Sequence, residues 1–203
     1  MSTEILELVV FKSAAYTADQ AALEAKILPE YKNGDYGVIN RYKGVNPLDP
    51  NEHCWIIIWK AREGLDKFGK EKAATALGPL FPLFEGPPDI HSIPLNGQDY
   101  RKALAAPVVS LSYATPKEGV ARETLAPLVE NLLAYQSQVK GTHGIVRGQI
   151  HEKPGSSVTI IGWDSAEAHQ AAAKEERVAA IIAPLREQLS ELKAKDMTLK
   201  QVD

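Results

Sequence analysis

Two stretches of this chain echo one another, and that repetition limits the folds open to it. Cys54-Trp-Ile-Ile-Ile-Trp59 is a β-branched and aromatic run that ends on a tryptophan and leads into a charged helix start, and Val158-Thr-Ile-Ile-Gly-Trp163 does the same. Trp59 and Trp163 stand 104 residues apart. Gly78-Pro79-Leu80 answers to Ala183-Pro184-Leu185 at an offset of 105, and Tyr36-Gly37-Val38 to His143-Gly144-Ile145 at 107. Three landmarks in one order at nearly one spacing read as an internal repeat.

Each half then reads as strand, helix, strand, strand, helix, strand. In the first, Glu4 to Lys12 is a strand and Thr17 to Tyr31 a helix, with Thr17 as cap, Gln20 three residues on, and Asn33-Gly34 as its stop. Tyr36 to Tyr42 and His53 to Lys60 are strands joined by a polar loop whose Pro47 and Pro50 oppose ladder pairing. Ala61 to Leu77 is the second helix, stopped by a proline-rich stretch before a short strand, Asp89 to Ile93. The second half runs Pro107 to Ala114 strand, Lys117 to Gln138 helix, Gly144 to Glu152 and Ser157 to Trp163 strands, Ser165 to Leu192 helix, and Asp196 to Val202 strand.

The order βαββαβ, written twice, is the ferredoxin-like motif. Its two helices cover one sheet face and leave the other bare. Trp55, Ile57 and Trp59 point to one side of their strand and Ile56 and Ile58 to the other, so both faces are apolar and both need cover. The expected fold class is therefore α+β: tandem ferredoxin-like repeats whose antiparallel sheets form a dimeric α/β barrel-type body within one chain. The first repeat is 1–95, a linker 96–105, and the second repeat 106–203.

A formal charge of -3 with scattered Lys and Arg offers no field for a phosphate backbone, so no nucleic acid partner is expected. The start of the chain shows no positive region before an apolar run, and no stretch has the length of a membrane span. One cysteine, Cys54, among apolar neighbours reads as a buried thiol in a reducing, cytoplasmic setting. A two-repeat chain is expected as a monomer, an internal pseudo-dimer, or as a homodimer.

The run Ile160-Ile-Gly-Trp-Asp-Ser-Ala-Glu-Ala168 resembles the antibiotic biosynthesis monooxygenase domains of the dimeric α/β barrel superfamily. Trp59-Lys-Ala-Arg-Glu-Gly64 matches it less fully, and two-repeat chains of this kind resemble fungal members. The resemblance implies a pocket between sheet and helices where phenolic or polycyclic substrates are oxidised without metal or flavin. Relatives on this fold bind haem, cyclise polyketides or act as lyases, so the fold leaves the chemistry open. The family's pocket tryptophan falls on Trp163 and Trp59 as substrate-binding residues. Its histidine eight residues on falls on Ala171 and Lys67, so that group is missing, while His169 stands two residues short of the position. The ligand histidine of haem-degrading relatives has no counterpart in 172–182 or 68–78.

Polar residues on the second strand of each half are the remaining candidates. Asn40 and Tyr42 share a face by period two, as do His143, Arg147, Gln149 and His151. Facing inward, Arg147 would bind an oxyanion, Tyr42, His143 and His169 would move protons, and Asn40, Gln149 and His151 would contact substrate. Facing outward, they are solvated. No histidine, His53 and His91 included, has metal-ligand spacing, and phosphate-loop, dinucleotide and nucleophile-elbow motifs are missing. The leading expectation is a cofactor-independent, monooxygenase-like enzyme for an aromatic or polyketide-like compound. The alternatives are a lyase or cyclase using His, Tyr and Arg, a haem protein using His91, His143, His151 or His169, and a non-catalytic binder of an apolar ligand.

Overall fold

In both halves the run that ends on tryptophan is a central strand, paired antiparallel on each side. A computed structural model describes residues 4–32 and 35–202; Asn33-Gly34, the expected helix stop, lie outside the described residues. Residues 4–97 with 200–202 form one unit, and Gln98–Leu199 the other. The first contains β1 (Ile5–Lys12), α1 (Ala14–Ala18), α2 (Gln20–Lys32), β2 (Val38–Asn46), β3 (Asp49–Trp59), α3 (Arg62–Glu71), α4 (Ala73–Leu77) and β4 (Asp89–Pro94), in the sheet order β4-β1-β3-β2. The second contains α5 (Arg101–Leu104), β5 (Val108–Pro116), α6 (Arg122–Gln136), β6 (Thr142–Gln149), β7 (Ser157–Trp163), α7 (Ala166–Lys174), α8 (Glu176–Gln188) and β8 (Leu189–Val202), in the order β8-β5-β7-β6. This is the α+β, twice-written ferredoxin-like architecture that the pattern predicts.

Strand register fixes which residues correspond. Ile5 and Val38 flank Trp59, and Val108 and Thr142 flank Trp163. Lys60 N–H donates to the Gly37 carbonyl at 2.7 Å and Asp164 N–H to the Gly141 carbonyl at 2.8 Å, with φ of 73° and 92° at those glycines, a conformation other residues seldom adopt. The offset on β2 and β6 is thus 104, not 107. Arg147 corresponds to Lys43 and Asn40 to Gly144, which corrects the offset of 107 that sets Tyr36 against His143 and, carried along the strand, Asn40 against Arg147. His143 sits at an irregularity between Thr142 and Gly144.

Several element boundaries also differ from expectation. The helix cap is Ser13, whose hydroxyl accepts from Tyr16 N–H; Thr17 lies one turn inside, its hydroxyl donating to the Ser13 carbonyl. The supposed loop 43–52 is a strand hairpin: Pro47 falls in its turn, and Pro50 lies in an irregularity beyond the end of β1, where its missing N–H breaks no ladder bond. The last helix splits at Glu175, whose backbone is extended, and stops at Gln188 because Leu189–Leu192 pair with β5. Pro184 lies inside α8, whereas Gly78-Pro79 follows the end of α4.

Stretch 96–105 carries α5, with Tyr100, Ala103 and Leu104 buried. α5 lies close over Gly162: a β-carbon there would fall 2.6 Å from the Ala103 carbonyl oxygen and 2.7 Å from Ala106 Cβ. The Gln98 carboxamide donates to the Arg147 carbonyl at 2.8 Å and accepts from Arg147 N–H at 3.0 Å, so a side chain completes the edge of β6. Among the described residues no helix is long and apolar enough to cross a membrane.

Gly162→Ala should destabilise the chain by about 1–3 kcal/mol, since backbone must move to admit the methyl group. Gly69→Ala, at an exposed position of α3 with nothing within 4 Å, should stabilise it by about 0.5–1 kcal/mol. Urea unfolding of both variants measures the contrast.

Candidate functional site

A buried indole must place its N–H, and both units solve this in the same way. Trp59 Nε1 donates to Glu7 Oε2 at 3.0 Å, and Trp163 Nε1 to Ser110 Oγ at 2.9 Å. Glu7 and Ser110 occupy corresponding places, each two residues along the first strand from the residue facing the tryptophan. Both tryptophans are fully buried and point to the helix-covered face.

On that face the first unit is filled. Phe11, Tyr16, Trp55 and Phe84 pack edge-on or stacked with centroids 4.6–5.8 Å apart, and Tyr31 stacks on Phe68 at 4.4 Å beside Trp59. The remaining cavity is about 30 Å³, room for about two waters. Glu24, on its wall, is held by three neighbours. Tyr16 Oη donates to Glu24 Oε1 at 2.6 Å, Gln20 Nε2 to the same oxygen at 2.7 Å, and Lys43 Nζ to Glu24 Oε2 at 2.6 Å. Burial pushes the Glu24 carboxyl up, but these hydrogen bonds outweigh it and hold it below the ordinary carboxylate range.

The second unit keeps the framework and removes the filling. By register, Val9, Phe11, Trp55 and His53 give way to Ser112, Ala114, Thr159 and Ser157. All four lie on the wall of a cavity of about 260 Å³ between the sheet and α6–α8. An adjoining cavity of about 400 Å³ shares Arg147, Ser157 and Val129 as lining. None of the residues of α6 is buried, so its Leu125, Val129, Leu132 and Leu133 face open space instead of packed side chains.

Trp163, His169 and Arg147 meet at this cavity. Ser165 caps α7 by accepting from Ala168 N–H, which sets the first turn and turns His169 onto the sheet. The His169 ring stacks on Trp163 with centroids 4.9 Å apart and planes at 25°, and its Nδ1 lies 2.8 Å from Asp196 Oδ1. The two side chains are 21% and 16% exposed, whereas the comparable pair His143 and Asp164, 2.6 Å apart, is 41% and 60% exposed and open to solvent. Arg147 Nη2 donates to Ser157 Oγ at 3.0 Å. Its burial, and then the Arg122 guanidinium, draw it below the usual arginine range.

The other candidates lie elsewhere. Gln149 is exposed and lines the adjoining cavity, and His151 is exposed in the turn after β6. Tyr42 pairs with Ile56 on the sheet face opposite Trp59, buried there. Asn40 accepts a hydrogen bond from Gln201. Trp59 is closed in by Tyr31 and Phe68. Asp196, Ser110, Arg122 and Gln136 were not singled out from sequence; Gln136 lines the cavity with its Oε1 buried and without a hydrogen-bond partner. Only strand register could have found Asp196, through its pairing with Ser110. Among the described residues no three His, Cys, Asp or Glu gather as a metal site.

No known family pattern matches the chain, and no curated protein matches it in sequence. Solved structures do match it over nearly its whole length. An anthrone oxidase-like protein superposes with a TM-score of 0.73 at 13% identity, covering 98% of this chain and 93% of that one. A protein from Fusobacterium nucleatum, classed provisionally as a monooxygenase, gives 0.71 at 11% identity and covers 100% and 95%. A mutant chlorite dismutase from Candidatus Nitrospira defluvii gives 0.66 at 9% identity and covers 98% and 92%. At these identities the likeness is one of fold, the twice-written ferredoxin-like arrangement, and it carries no role with it.

The Glu24 network has a pH signature. Its carboxyl is held below its unfolded value, so its contribution is complete above about pH 4.3 and is lost as pH falls through the folded value. Glu24→Gln should cost about 1–3 kcal/mol at neutral pH by leaving buried donors poorly paired. In urea titrations from pH 7 to 3, the gap from wild type should close only at the acid end.

Proposed function

We propose that the second unit is the working half of a small-molecule enzyme, which takes an aromatic or polyketide-like compound between its sheet and α6–α8 and oxidises it without a bound cofactor. One observation carries this reading: a sheltered His169–Asp196 pair, stacked on Trp163, borders a cavity of about 260 Å³ in the place that the first unit fills with Phe11, Trp55 and Phe68. Whole-length likeness of fold to an anthrone oxidase-like protein supports the reaction class.

The chemistry follows from the groups present. Asp196 accepts from His169 Nδ1 and leaves Nε2 as the basic nitrogen. Nε2 takes a proton from an acidic aryl methylene or phenol, and Asp196 stabilises the imidazolium that forms. The Trp163 ring and the apolar residues of α6 hold the aromatic system, and Gln136 Oε1 offers an acceptor to a ligand hydroxyl. The resulting carbanion or phenolate is electron-rich enough to reduce dioxygen. For a methylene, one dioxygen converts the carbon to a carbonyl and releases one water: carbon gives up four electrons, one oxygen atom stays on carbon, and the other leaves with both methylene hydrogens. If the bound anion instead expels a leaving group, the same base serves a lyase or cyclase.

A haem reading rests on the same residue. Of the four histidines considered as ligands, His143 and His151 are exposed, and His91 shares the face of Leu8 in the first unit, opposite the helices. His169 lines the cavity of about 260 Å³, with Asp196 orienting its ring as carboxylates orient metal-bound imidazoles. His169 would therefore hold the iron, and a bound haem would supply redox chemistry there.

Oxygen uptake with simple anthrones and naphthols tests the proposal. His169→Gln and Asp196→Asn should lower turnover by roughly 10²–10⁴-fold while ligand affinity stays within a few-fold. Thr159→Trp, which restores the bulk of Trp55, should abolish binding and turnover together. Uptake unchanged in His169→Gln would remove the base from the scheme, and a Soret band on adding haemin that His169→Gln lacks would favour the haem reading.

A further inference from the structure

Arg147 and Lys43 occupy the same position in the two units, opposite Thr159 and Trp55 respectively. Lys43 is neutralised within its own unit by Glu24, 2.6 Å away. Arg147 has no such carboxylate. Its guanidinium meets only the neutral Ser157 hydroxyl, at 3.0 Å, and among the described residues no carboxylate forms an ion pair with it or with Arg122. The charge nearest in effect is Arg122, of like sign. A half-buried cation set beside a second cation is unfavourable until an anion joins them.

Three further features converge on the same place. Arg147 lines both adjoining cavities, so its head group stands where they meet, and Arg122 lines the larger. Arg122 is the first residue of α6, a helix of 15 residues whose N-cap, Ala121, offers no side-chain hydrogen bond. In that turn Thr124 N–H donates to the Ala121 carbonyl and Glu123 already places a carboxylate, so the helix start adds only its dipole in favour of a negative charge. Glu130, the carboxylate on the wall of the larger cavity, is exposed and paired with neither arginine.

We propose that this cavity selects an anionic aromatic ligand, an aryl carboxylate, whose charged group is held at Arg147 and Arg122 while its rings extend toward Trp163. The inference deepens the proposed function and rests on its reading of the cavity as a ligand site. Arg147 supplies the fork that matches a carboxylate, and the Gln98 carboxamide holds its backbone in place. Anchored there, the ligand presents its distal ring to His169, which gives the oxidation a fixed regiochemistry.

The test compares 2-naphthoate with its neutral isostere 2-naphthamide on the full chain, by calorimetry at low salt. The acid should bind roughly tenfold or more tightly, in keeping with a charge-assisted hydrogen-bonded pair, and its advantage should shrink as salt rises. Arg147→Gln should erase the preference and Arg122→Gln, at an exposed position, should reduce it by roughly threefold. Equal affinities in the wild type, or a preference that survives Arg147→Gln in a folded protein, would overturn the anion site alone. Failure of both compounds to bind would overturn the cavity reading with it. A preference for naphthoate without oxygen uptake by any anthrone or naphthol leaves this site standing and removes the oxygenase.

Discussion

The structure depends on one requirement met twice, that a tryptophan sealed at the end of a central strand give its indole N–H to the neighbouring strand. Left unmade in a dry interior, that bond would cost about 1–3 kcal/mol, a sizeable part of a domain's net stability. Glu7 and Ser110 meet it from corresponding positions. Once the indole is fixed, so is the register of first strand against third, and in a sheet a slip of one residue would turn every side chain to the wrong face. The bond therefore decides that Ser112, Ala114, Thr159 and Ser157 look toward the helices, and so decides what lines the cavity.

Two units on one framework differ chiefly in volume. Phe68 and Leu65 of α3 correspond, at the tryptophan offset, to Ala172 and His169 of α7, so the helix face loses bulk as the sheet face does. A dry, sealed void of about 260 Å³ would cost about 6 kcal/mol at the rate measured for cavities in protein cores. The serines, Thr159, His169 and Arg147 on its wall instead suit a space that water or a ligand occupies. In the first unit the same face is closed by aromatic packing around the Tyr16, Glu24 and Lys43 network. One half thus supplies a rigid, filled body and the other an open one.

What the sequence made legible follows from how local each signal is. Tryptophan is rare enough that Trp59 and Trp163 mark the repeat by themselves, and the alternation around them places both sheet faces. The hairpin was not legible because Pro47 and Pro50 are read as strand breakers when seen without their partners; only the end of β1 shows that no N–H is wanted at Pro50. Arg147 and His143 share a period-two face on paper, and one irregularity at the start of β6 sends His143 to solvent while Arg147 stays on the cavity wall. His169 was visible as a residue out of its expected place, but not its partner. Asp196 lies 27 residues further on, in a strand whose pairing with β5 no local pattern reports.

Electrostatics sharpen the contrast that volume begins. Lys43 with Glu24 is a finished pair, and the cavity beside it is only about 30 Å³. Arg147 with Arg122 is an unfinished one, held beside a cavity of about 400 Å³ by a backbone that Gln98 clamps. Stability alone would not keep such an arrangement, since a neutral side chain at position 147 would relieve the repulsion and still bond Ser157. An unpaired cation, a sheltered histidine and an unfilled cavity on one sheet face each cost the folded chain something. The proposed ligand, anionic at one end and aromatic at the other, would offset all three at once.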